Sequence, residues 1–126
     1  MSLRSPLSQA RGLGSAKDGV HHWWMQRLTA IALIPLSLWF AFSIARYHVA
    51  DYTTMILWLH NPYVAVALVL FFIASFYHAA LGVQVVFEDY VASEWLKISS
   101  IVLVKLALFA LAAASVFAVL KVAFGA

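Results

Sequence analysis

The residues of this chain that could do chemistry are few, and His78 is the most conspicuous. It stands in an apolar run over residues 63–87 in which Gln84 is the other strongly polar side chain. Ionisable groups inside a membrane are costly and face a bundle interior, so a histidine there is a functional candidate. The structural alternative is a neutral imidazole hydrogen-bonded to a neighbouring helix. At about 100° per residue, Ala74, Ser75, Gly82, Val85 and Asp89 share its face. The small residues Ala74, Ser75 and Gly82 would admit either a flat macrocycle or a second helix. Asp89 lies eleven residues on, about 16 Å along the axis, where the run meets water. A mid-membrane imidazole aligned with a carboxylate at the boundary suits a buried redox cofactor beside a proton-exchanging site. Haem iron accepts imidazole as an axial ligand, and bundle cofactors are held from facing helices. With one histidine well inside a span, a six-coordinate haem would need its second ligand from another subunit.

A second cluster, His21, His22, Trp23, Trp24, Gln26, Arg27 and Thr29, crowds the start of the first apolar run. Arg27 could meet lipid headgroups or haem propionates, because guanidinium pairs carboxylates bidentately. His21 or His22 could add a donor. Interfacial anchoring by a snorkelling Arg and headgroup-level Trp is the competing explanation.

The elements that must position these residues follow from composition. Of 126 residues, 65% are hydrophobic and 10% charged, against roughly 45–50% and 25% in soluble domains. That leaves too little polar surface for a water-soluble globule, and a lipid bilayer supplies the missing surroundings. A span needs about 20 mainly apolar residues, and three segments qualify. We expect an all-α membrane protein with a tail over residues 1–20 and transmembrane helices over 21–46, 63–87 and 98–124, packed with a partner subunit's helices. Pro35 lies inside the first span, where proline is tolerated. The basic residues Arg4, Arg11, Lys17 and Arg27 flank the first span, whereas Arg46 is alone in the next loop. The positive-inside rule then places the N terminus inside and the C terminus outside. Residues 1–19 have no apolar core and so do not read as a secretory signal. Their Arg and Ser content is shared with transit peptides, but a bacterial cytoplasmic tail is the reading we adopt.

Two motifs carry a family resemblance. Residues 11–30, RGLGSAKDGVHHWWMQRLTA, resemble the N-terminal signature of the hydrophobic membrane anchor subunits of succinate dehydrogenase, respiratory complex II. Residues 78–91, HAALGVQVVFEDYV, are similar to that family's haem-ligating His, Gly four residues later and Asp-Tyr at the helix end. The motifs fall on the first two spans in the family's order, and the resemblance covers nearly the whole chain. It implies that His78 is one axial ligand of haem b, the other coming from a companion cytochrome b anchor subunit. It implies that Tyr90 donates to a ubiquinone carbonyl with Asp89 beside it. Arg27 and one of His21 and His22 would lie near the haem propionates. Spacing to Arg27 favours His21; adjacency to Trp23 favours His22. Flavoprotein and iron–sulfur subunits would oxidise succinate and pass electrons to ubiquinone through the bacterial inner membrane, a mitochondrial one being the alternative. An anchor of a quinol:fumarate reductase and a purely structural small membrane subunit are the competing readings.

The remaining polar residues have simpler readings. His48 and His60 belong to the second loop, and Glu88 and Glu94 read as solvated loop acids. Lys121 can snorkel to the surface. Lys105 sits about 10 Å into its span, where snorkelling or an acidic partner would satisfy it. The chain has no cysteine, which excludes disulfides and protein-ligated iron–sulfur clusters within it. The net charge of +3 follows the membrane flanks and does not point to nucleic acid.

Overall fold

The computed structural model describes Leu7, residues 16–47 and residues 49–125. Arg4, Arg11 and His48 lie outside the described residues, as does the side chain of Lys17. Four α-helices occupy them: α1 (Ala16–Tyr47), α2 (Tyr52–His60), α3 (Pro62–Tyr90) and α4 (Glu94–Ala123). Three segments are long and apolar enough to cross a bilayer: Gly19–Tyr47, Pro62–Tyr90 and Glu94–Ala123, with mean hydropathy of 2.0, 2.3 and 2.4. These are the expected spans, each helix running somewhat past the apolar stretch. The extension changes one reading. Glu88 is not a loop residue, because α3 continues through Tyr90, and Glu94 opens α4. Helix formation does not stop at the end of a hydrophobic run: Glu88 is a good helix former, and the ladder continues until the Val91 N–H donates to the Phe87 carbonyl at 3.1 Å.

The short helix α2 was not expected. Asp51 is its N-cap and accepts from the Thr54 backbone N–H at 3.4 Å. Hydrogen bonding from Thr54 holds the Asp51 carboxyl below the usual carboxylate range. Asn61 both ends α2 and starts α3: its N–H donates to the Trp58 carbonyl at 3.3 Å, and its side chain accepts from the Tyr63 N–H at 3.0 Å. Pro62 then occupies the first helical position, where its missing N–H costs nothing. At the far end of α4, Gly125 adopts a φ of 73°, the left-handed conformation in which glycine commonly terminates a helix.

Helix α3 is the middle of the three long helices and packs against both α1 and α4. Near α2 the bundle is closed. Buried Ala65, Leu68 and Val119 are packed by Trp39, Trp58 and Phe72. Trp58 stacks on Trp39 at 6.2 Å between centroids and meets Tyr47 at 5.4 Å. Phe40 stacks on Phe71 of α3 at 4.7 Å. Aromatic pairs of this kind add about 0.5–1.5 kcal/mol beyond their buried area. Toward the other end an apolar groove runs between α1, α3 and α4. Most large side chains on the outside of the bundle, such as Leu38, Phe42, Leu103 and Phe117, are exposed, as they would be against lipid or another subunit.

Candidate functional site

The site is built where the polar start of α1 crosses α3. On an apolar helix, His22, Gln26 and Thr29 stand at spacings of four and three residues, so they form one stripe. That stripe faces His78. His78 Nδ1 lies 2.9 Å from Thr29 Oγ1, and His78 Nε2 lies 3.4 Å from Gln26 Nε2. Thr29 is buried, and its hydroxyl donates to the backbone carbonyl of Met25 at 2.7 Å, with that of Gln26 at 3.2 Å. Gly82 follows His78 by one turn, and a Cβ added there would meet only Gln26 Nε2, at 3.6 Å. This is an ordinary contact, so the approach of α1 to α3 does not itself demand glycine at that position.

Two buried polar atoms on this stripe of α1 have no hydrogen-bond partner among the described residues: His22 Nε2 and Gln26 Oε1. Buried polar atoms are almost always paired in native structures. Their positions distinguish the two histidines of the cluster. His22 shares the stripe with Gln26 and Thr29, whereas His21 is turned about 100° away from His22. Arg27 points elsewhere: its guanidinium carbon sits 5.5 Å above the Trp23 ring, on an exposed part of α1.

His78 faces α1 and does not line the groove. The groove, about 1100 Å³ in volume, runs between α1, α3 and α4 and is walled by residues such as Phe76, Leu81, Phe109 and Ala112, with His21 and His22 at one end. Across it Lys105 donates to Gln84 Oε1 at 2.6 Å, and Gln84 Nε2 donates to Glu88 Oε1 at 2.7 Å. The partner of the intramembrane lysine is therefore an amide that is itself held by a carboxylate. Glu94 instead pairs with Lys97 at 2.9 Å, and His60 Nδ1 meets the Ile56 carbonyl at 2.8 Å.

Asp89 and Tyr90 stand at the end of α3, exposed, with Tyr90 85% accessible. They are eleven and twelve residues beyond His78, so about 16 and 18 Å along the axis, and belong to a different region from the His78 cluster. Sequence reasoning noted Gln26 and Thr29 but gave them no role. The available signal was their spacing with His22, a polar stripe on an otherwise apolar helix.

The comparisons with known proteins agree with this architecture. Residues 1–119 match the family described as succinate dehydrogenase/fumarate reductase transmembrane subunit. A succinate dehydrogenase hydrophobic membrane anchor subunit of Rickettsia bellii is 40% identical over 82% of this chain and 83% of its own length. One from Paracoccus denitrificans is 29% identical over 100% of this chain and 97% of its own length. A succinate dehydrogenase membrane anchor subunit of Reclinomonas americana is 36% identical over 71% and 77%. No solved structure matches. A three-span bundle with this match belongs to the succinate dehydrogenase/fumarate reductase transmembrane subunit family, among its hydrophobic membrane anchors.

Proposed function

We propose that the chain anchors a succinate:ubiquinone oxidoreductase in the bacterial inner membrane, with its N terminus inside. In that role it contributes one axial ligand to haem b and part of the ubiquinone site. The observation that carries this reading is the His78 cluster. An intramembrane imidazole is approached on its Nε2 side only at 3.4 Å, by Gln26, and Gln26 Oε1 and the His22 Nε2 one turn along α1 are buried without partners among the described residues. Such atoms fit a cofactor that brings its own polar groups. Gly82, one turn from His78, keeps the backbone of α3 bare on the same face, where the Gln26 amide is the neighbour, at 3.6 Å from an added Cβ.

His78 would hold haem b through Nε2 once the Gln26 amide withdraws from that nitrogen, with the second ligand from a cytochrome b anchor subunit. The haem would supply a one-electron redox centre within the membrane. Of the flanking residues, His22 is favoured over His21 as a hydrogen-bond partner for a propionate, because its ring nitrogen is the buried, unpartnered one. Arg27 would serve there only by leaving Trp23.

At the end of α3, Tyr90 and Asp89 are exposed where a quinone and the catalytic subunits could reach them. The phenol would donate to a quinone carbonyl, stabilising the negative charge that grows on that oxygen during reduction. Asp89 would pass protons from water. Succinate oxidation itself would occur in flavoprotein and iron–sulfur subunits outside the membrane. The same residues would serve quinol oxidation by a fumarate reductase, which the family description also covers.

A reduced-minus-oxidised spectrum of the purified complex tests the reading. A b-type haem absent from the complex would overturn the haem assignment, and loss of quinone reduction without loss of haem would isolate the α3 end.

A further inference from the structure

We propose that Thr29 is the positioning residue for His78: its hydroxyl fixes the imidazole with the proton on Nδ1 and the lone pair on Nε2. The inference rests on the haem reading but concerns this chain's own hydrogen bonds. A threonine hydroxyl has one proton to donate. That proton is committed to the backbone of α1, at 2.7 Å from the Met25 carbonyl or 3.2 Å from that of Gln26. Facing His78 Nδ1 at 2.9 Å, Thr29 Oγ1 can then only accept. Nδ1 therefore carries hydrogen. The second contact suits the same tautomer, with the Gln26 amide turned so that its nitrogen faces the ring. Gln26 Nε2 is a donor, and two donors do not face each other, so His78 Nε2 at 3.4 Å is the acceptor.

The consequence is chemical. Residues that hydrogen-bond the distal nitrogen of a metal-bound histidine set its tautomer, hold its ring plane and raise its basicity. A more basic axial ligand favours the oxidised iron and lowers the reduction potential. Thr29 is 8% exposed, so water cannot replace it as the acceptor. No other residue gives His78 Nδ1 a described partner. Thr29 would thus tune the haem without touching it.

Thr29→Val removes the hydroxyl at nearly constant shape, and Thr29→Ser keeps it. In the assembled complex, Thr29→Val should raise the haem midpoint potential and alter the low-spin electron paramagnetic resonance signal. Thr29→Ser should return both to the parent values. Loss of haem in Thr29→Val with retention in Thr29→Ser would equally support a required hydroxyl. Parent potential and signal in Thr29→Val would overturn the proposal, as would equal haem loss in both variants, which would make Thr29 a packing residue. His78→Leu separates the two ideas. If its spectrum equals the parent's, the haem reading fails; if only His78→Leu changes the spectrum, the Thr29 role alone fails.

Discussion

His22 and Gln26 stand one helical turn apart on α1, and each carries a buried polar atom that the described residues leave without a partner. Left so in a finished complex, each would cost about 1–3 kcal/mol. Their shared place on one face of α1 fits the proposed packing of another component there, and it separates the two adjacent histidines. His22→Ala should reduce haem retained per complex several-fold, whereas His21→Ala should leave it within about twofold. Haem quantified against protein after purification checks the pair, and equal effects would remove the distinction.

His78→Leu takes away the imidazole but suits a membrane helix, so insertion should survive. The low-spin haem spectrum should weaken or change spin state. Absorption and electron paramagnetic resonance spectra of the assembled complex measure this. An unchanged spectrum would show that iron is ligated elsewhere.

Tyr90→Phe keeps the ring and loses one donor, a bond worth about 0.5–1.5 kcal/mol. Ubiquinone reduction should slow several-fold, with the haem spectrum and succinate oxidation by a soluble artificial acceptor nearly intact. Should all three fall together, Tyr90 serves assembly; should none fall, it is an interfacial anchor.

Lys105 and Gln84 join α4 to α3 by a 2.6 Å hydrogen bond. Interhelical hydrogen bonds in membranes contribute about 0.6 kcal/mol on average and about 1.7 at most. A double-mutant cycle of Lys105→Met and Gln84→Leu, read as thermal stability of the complex, should give a coupling of about 0.5–1.5 kcal/mol. A coupling near zero would mean that Lys105 reaches the interface and spends its time in water.

Reporter fusions test the orientation drawn from Arg4, Arg11, Lys17 and Arg27. Residues before Val20 and the turn at Ser93 should read inside, and a fusion after Ala126 outside. An inside reading at the C terminus would contradict the three-crossing topology.

The sequence displayed the spans because each carries a sustained apolar run, and the bilayer makes that run the dominant energy term. Helix α2 was hidden for the opposite reason. Its nine residues are too few for a periodic signal, and its boundaries come from Asp51 and Asn61 acting as caps. His78 was legible as a lone intramembrane imidazole. Its partners were not, because the pairing with Thr29 and Gln26 depends on how α1 lies across α3, separations of 49 and 52 residues. Lys105 likewise looked isolated, since its partner is on another helix and is an amide, not the acid that charge alone would suggest. Asp89 was legible from the helical face it shares with His78, whereas Tyr90, at a different angle, came only from the family motif.

The aromatic cluster of Trp39, Trp58 and Tyr47 closes one end of the bundle, while the other end is tied by hydrogen bonds from His78 to α1 and from Lys105 to Gln84. The two ends are therefore fastened by different chemistry. Hydrogen bonds near His22 can be exchanged for bonds to an incoming polar group, whereas stacked rings have no such substitute.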